Sequence, residues 1–236
     1  MTYRGSHQGV VAQLAAIEYA DINAILETLA ESKRDGLFVV LDNITDVRNF
    51  GAIARTAECV GADAIIISAK NAAPVNAESI KSSAGALLKI PVCRVGSLRN
   101  TLKTMQLAGV TLVGATEKTN ELLYESEVGT GSVAVILGSE DDGISTDILR
   151  LCDKKMSIPM LGKIESLNVS AAAAVMLYEV VRQRFNNVEL DGEHEFVSDS
   201  ASVPVDADVV ASEVVIETVV TDSAAAIAVE GEIVVE

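Results

Sequence analysis

The sequence is poor in the residues from which metal sites and disulfide frameworks are built. Two histidines, His7 and His194, and three cysteines, Cys59, Cys93 and Cys152, are scattered over 236 residues with no Cys-x-x-Cys pair. Neither a zinc site nor a disulfide framework is expected from that spacing, and no metal is assigned. The three thiols are expected to be buried and inert. No G-x-S-x-G elbow occurs and neither histidine lies in a patterned neighbourhood, which argues against a hydrolase triad. There is no G-x-G-x-x-G after the first strand-like run, and Gly162-Lys163 lacks the Ser or Thr of a phosphate-binding loop, so classical dinucleotide and NTP-hydrolysing sites are disfavoured. Every apolar run of about ten residues is broken by charges or small polar groups. Neither a membrane span nor a secretory signal is expected, and the location read from this is cytoplasmic.

Positive charge is scarce as well: 18 Lys and Arg face 34 Asp and Glu, a net charge of -16. A polyanionic partner needs Lys and Arg, so the balance at first argues against nucleic acid. The deficit is local, however. Residues 188–236 carry 13 acidic residues and no Lys or Arg, which leaves 21 acidic against 18 basic in residues 1–187, a net of -3. A body this close to neutral can bind a polyanion through one local basic face.

What is present is alternation. Continuous β-branched and apolar runs at 37–41, 64–68, 111–114, 133–137 and 156–158, with a weaker one at 92–95, read as buried strands of a parallel sheet. Between them, helical patterns are expected at 51–60, 78–88, 98–107, 146–151 and 169–184. Strand and helix in turn predict a doubly wound α/β fold. Residues 1–36 form a lead-in arm and helix, residues 37–187 the main domain, and residues 188–236 an acidic tail whose uniform charge favours a flexible segment, with a short added strand or partner-binding segment as the alternative.

Ligands bind at the carboxyl ends of parallel strands, and three loops there are unusual. The first runs from Asp42 into the helix that contains Asn49, placed at or near its cap, and Arg55, a charge in a small and apolar helix that would be costly to bury unpaired. A structural ion pair with a nearby carboxylate is the plainer reading of Arg55. The second is Gly138-Ser139-Glu140-Asp141-Asp142-Gly143, whose glycines permit positive φ or close approach of a backbone, and which any strand-to-helix turn could carry. The third holds Ile158, Met160, Ser166, Leu167 and Asn168 ahead of an alanine-rich helix that can pack closely against another backbone or subunit.

In this order, the three segments resemble the three motifs of the SpoU/TrmH family of the SPOUT superfamily, the tRNA and rRNA ribose 2′-O-methyltransferases. The resemblance covers residues 37–184 and is closest to the 23S rRNA guanosine 2′-O-methyltransferase branch, because His7-Gln8-Gly9-Val10-Val11-Ala12 is similar to the segment that precedes the catalytic domain there. Those enzymes usually carry an N-terminal RNA-binding domain ahead of that segment, and none is expected within these 236 residues. The resemblance implies an α/β-knot with a C-terminal trefoil knot, a mostly parallel sheet flanked by helices, and a homodimer through the knot region. It further implies S-adenosyl-L-methionine as cofactor and RNA as partner, rRNA ahead of tRNA, with methyl transfer to a ribose 2′-hydroxyl. A tRNA ribose methyltransferase, a base methyltransferase of the wider group and a catalytically silent RNA-binding protein are the alternatives. By position, Gly138, Ile158 and Leu167, with Met160 and the Ala115-Thr116 turn, match the cofactor's surroundings, whereas Arg55, Asn49, Glu140, Ser166 and Asn168 match the family's catalytic polar residues. Arg55 is expected to bind phosphate and a developing alkoxide, Asn49 and Ser166 to position Arg55 and the ribose, Asn168 to order its loop, and Glu140 to pair with a cation or donor across the knot.

Overall fold

The computed structural model describes residues 17–164 and 166–187. The segment His7 to Ala12 and the acidic tail from residue 188 lie outside the described residues. Six strands, β1 (Leu37–Asp42), β2 (Ala64–Ser68), β3 (Val92–Val95), β4 (Thr111–Ala115), β5 (Val133–Gly138) and β6 (Lys154–Met156), form one sheet in the order β3-β2-β1-β5-β4-β6. Every pairing between named strands is parallel. The central strands β1 and β5 are buried at every position, which is what their unbroken apolar runs require of a sheet covered on both faces.

Helices α2 (Val47–Cys59), α3 (Ala77–Ser82) and α6 (Val169–Asn187) lie together on one face, where Phe50, Ile53, Met176, Leu177 and Val180 share a core with Val39 and Val135. Helices α1 (Ile22–Ser32), α4 (Leu98–Leu107) and α5 (Thr146–Leu149) supply the other core through Leu29, Leu102 and Ile148 against Phe38 and Ile136. The lead-in is tied to the sheet before α1 begins, since the Ala20 N–H donates to the Val92 carbonyl at 2.9 Å. None of the helices among the described residues is long and apolar enough to cross a membrane.

Several elements depart from expectation for local reasons. The helix expected at 51–60 begins a turn earlier, because the Asp46 carboxylate accepts from the N–H groups of Arg48 at 2.8 Å and Asn49 at 2.9 Å and takes the cap expected of Asn49. The helix expected at 78–88 breaks after Ser82, where Ala84 (φ 50°) and Gly85 (φ 84°) turn left-handed ahead of a 3₁₀ turn at Ala86–Leu88. The last strand ends at Met156, not Ile158, and Ser157 continues only as a single bridge to Leu122. Helix α5 is a single turn, shorter than the 146–151 expected. Of the three thiols, Cys93 is buried and Cys152 half-buried, and burial pushes each up to about 11. Cys59, expected to be buried, is exposed near the end of α2.

Candidate active site

The carboxyl ends of β5, β4 and β6 open onto a cleft of about 250 Å³. Its floor is made by strand ends, Ala115 of β4, Gly138 of β5 and Met156 of β6, and its wall by Ile158, Met160 and Leu167 from the loop that joins β6 to α6. The shape depends on Gly138. A Cβ there would collide with the backbone of Gly143 and Ile144, because the loop after β5 folds straight back onto the strand end, with the Gly143 N–H donating to the Ser139 carbonyl at 3.0 Å. Gly143 makes that reversal at φ 71°, a conformation that favours glycine. All six residues expected around the cofactor, Ala115, Thr116, Gly138, Ile158, Met160 and Leu167, line this cleft.

The expected catalytic residues divide into three groups. Asn49, Glu140 and Asn168 are joined directly. The Asn49 side-chain amide donates to Glu140 Oε1 at 3.1 Å, the Asn168 amide donates to the same oxygen and to Asn49 Oδ1 at 3.0 Å, and the Val169 N–H donates to Glu140 Oε1 at 3.3 Å. Three segments more than 25 residues apart therefore meet on one carboxylate oxygen. Glu140 pairs with donors there, and no cation is within ion-pair distance of it among the described residues. Asn168 also caps α6, accepting from the Ser170 N–H at 2.9 Å. Ser166 forms the second group, exposed on the cleft wall beside Leu167.

Arg55 is alone in the third. It is exposed on α2, so the burial cost that made it conspicuous in the sequence is not incurred, and no carboxylate among the described residues lies within ion-pair distance of it. Asn49 bonds to Glu140 and Asn168, not to Arg55 as expected. Six residues apart on one helix, the two side chains leave it in directions differing by about 120°.

Sequence reasoning missed three features. Leu137, Met156 and Ala172 line the cleft, and their place at a strand end or in the first turn of a helix was the available signal. Glu117 and Lys118 stand at the rim, in a loop with no motif to mark it. Asp42, buried at the end of β1, accepts from the Ser145 N–H at 2.7 Å and fixes the start of α5 beside the cleft.

The SpoU rRNA Methylase family matches residues 36–178. A Bacillus subtilis protein assigned to the TrmH family of tRNA/rRNA methyltransferases is 39% identical over 180 residues, covering 76% of this chain and 72% of that protein. A Vibrio parahaemolyticus protein named 23S rRNA (guanosine-2′-O-)-methyltransferase is 37% identical over 179 residues, with 76% and 72% covered. Among solved structures, the SpoU methyltransferase AviRb from Streptomyces viridochromogenes in complex with the cofactor AdoMet superposes with a TM-score of 0.59 at 36% identity, over 64% of this chain and 58% of that one. The chain thus spans about seven tenths of the two curated relatives and 58% of AviRb.

Proposed function

The chain belongs to the SpoU rRNA methylase family, and on that premise we propose that it transfers the methyl group of S-adenosylmethionine to a ribose 2′-hydroxyl of RNA. The observation that carries this reading is the meeting of Asn49, Glu140 and Asn168 at the side of a cleft lined by all six residues expected around the cofactor. The cleft suits such a ligand: Leu137, Met156 and Ile158 give it apolar sides of the kind that would hold an adenine. When bound, the cofactor supplies a methyl carbon activated by a positive sulfur, so that the ribose oxygen forms the new C–O bond as the C–S bond breaks and its electron pair returns to sulfur.

The chain's own residues have three tasks. Arg55, solvent-facing and unpaired among the described residues, binds phosphate and stabilises negative charge on the 2′-oxygen as it forms. A guanidinium hardly ever deprotonates, so the proton passes to a phosphate oxygen or to water. Glu140 holds Asn49 and Asn168 in register, and Ser166, facing the cleft, positions the ribose.

The RNA is rRNA in this reading, supported by the Vibrio relative's name and by the same name on a Vibrio cholerae protein 37% identical over 182 residues. The protein works in the cytoplasm as a homodimer. Support for the second copy comes from α6, where Ala171, Val175, Tyr178 and Phe185 follow one another at helical spacing, the two aromatics 53% and 59% exposed. The trefoil knot belongs to the same reading, supported by the return of the chain from the edge strand β6 to α6, which packs on β5 and α2.

Incubation with methyl-labelled S-adenosylmethionine and rRNA from cells lacking the gene tests this. The expected product is label in nuclease-resistant 2′-O-methyl dinucleotides, and Arg55→Ala is expected to lower kcat by about a hundredfold to a thousandfold while calorimetry shows cofactor binding retained. Cofactor binding with no transfer to rRNA or tRNA would identify a silent RNA-binding protein, and label on a base would move the site to a ring nitrogen.

A further inference from the structure

Helix α2 carries two basic residues, Arg48 and Arg55, and both are exposed. Seven residues is almost two whole turns, so the two guanidinium groups leave the same side of the helix about 10 Å apart along its axis. Ala52, midway between them, leaves the strip uncrowded. Arg48 directly precedes Asn49 at the start of α2, and its side chain leaves the helix about 100° away from that of Asn49, toward Glu78 of α3.

Arg48 has a partner, but a loose one. Its Nε lies 3.7 Å from Glu78 Oε1, with the two side chains 82% and 59% exposed. Glu78 reaches it because α3 sits close on α2: Ser82 Oγ donates to the Val47 carbonyl at 3.1 Å, and a Cβ at Gly51 would collide with that same hydroxyl. An exposed pair at this distance is weakly held and is readily exchanged for another anion.

We propose that Arg48 is a second contact for the RNA backbone, taking a phosphate near the one held at Arg55, with Glu78 as the carboxylate it leaves on binding. This rests on RNA being the partner. A separation of about 10 Å matches a reach of two to three consecutive phosphates on a strand. Arg55 meets the reacting nucleotide while Arg48 grips a phosphate about two to three positions along the strand, which fixes the direction in which the strand crosses α2.

The test reads binding without turnover, by fluorescence anisotropy of a labelled rRNA stem-loop titrated with the full chain at several salt concentrations. Arg48→Ala is expected to weaken binding about threefold to tenfold and to lower the slope of log affinity against log salt by about 0.7 to 0.9, the share of one phosphate contact. Glu78→Gln, which removes the competing carboxylate, is expected to tighten binding by up to about fivefold. Lys89→Ala, at the amino ends of the strands, controls for the loss of any exposed cation and is expected to leave the slope unchanged. An unchanged affinity or slope in Arg48→Ala, a slope change of equal size in Lys89→Ala, or binding by Glu78→Gln no tighter than wild type overturns the proposal. Failure of the wild type to transfer methyl would instead sink the proposed function and leave these affinities to be read on their own.

Discussion

Gly138 ends a fully buried strand, and the next five residues fold back against it so closely that no side chain fits between. Gly138→Ala forces β5 and the Gly143–Ile144 peptide apart at the cleft floor. Overpacking of this kind costs about 1–3 kcal/mol, and because the displaced backbone belongs to the cleft, affinity for S-adenosylmethionine is expected to fall together with the melting temperature. An alanine variant that melts lower yet binds the cofactor as wild type would separate the close approach from the site. The glycine was conspicuous in the sequence, but only the folded loop shows what it must avoid. Asn49 teaches the converse. Asp46 and Asn49 are both competent to cap a helix and lie three residues apart, so composition could not choose between them. Asp46 caps, and the amide of Asn49 is thereby free to reach Glu140.

At the scale of elements, α6 does two things with one sequence. Its first turn, capped by Asn168, closes the cleft, and its last turns clamp the loop before β5: Gln183 Oε1 accepts from the N–H groups of Val128 at 2.7 Å and Gly129 at 2.9 Å, while its amide donates to the Ser126 carbonyl at 2.8 Å. Gly129 is needed because a Cβ there would overlap the Gln183 side chain. The clamp is braced by buried Glu179, whose Oε1 accepts from Gln183 Nε2 at 2.8 Å and from Arg182 Nη2 at 2.7 Å. The Arg182 hydrogen bonds hold the Glu179 carboxyl below its usual range against the opposing effect of burial, with Gln183 adding to the lowering. The fold therefore favours the ionised form. Its contribution is complete above the unfolded value of about 4.3 and is lost as pH falls through the lower folded value. Melting curves of wild type and Glu179→Gln are expected to differ most near neutral pH and to converge in acid. A gap that widens on acidification would reverse the sign of this argument. Little of this was legible beforehand, since a helical period reports which face is buried and not which loop a polar residue will hold.

For the whole molecule, alternation of apolar runs with helical patterns was enough to read a parallel sheet covered on both faces, because each buried strand leaves an unbroken hydrophobic signature. The order of strands was not readable, since β1 and β5 are adjacent in space with about ninety residues between them. Nor was the exposure of Arg55, which depends on what packs beside α2. Charge is the one global property the sequence states outright, and it sets a conflict: the net of -16 resides almost wholly in residues 188–236, whereas the cations proposed to meet RNA, Arg48 and Arg55, are on α2. Thirteen carboxylates attached to a near-neutral body lower the local concentration of any polyanion, with a range set by the Debye length of about 8 Å at physiological salt. Removing residues 188–236 is therefore expected to leave the affinity for S-adenosylmethionine unchanged and to strengthen RNA binding at low salt, the gain fading as salt rises. Equal RNA affinity for the full and shortened chains at low salt would show that the tail's charge does not reach the α2 strip, and a loss of cofactor binding would show that the segment contributes to the cleft itself.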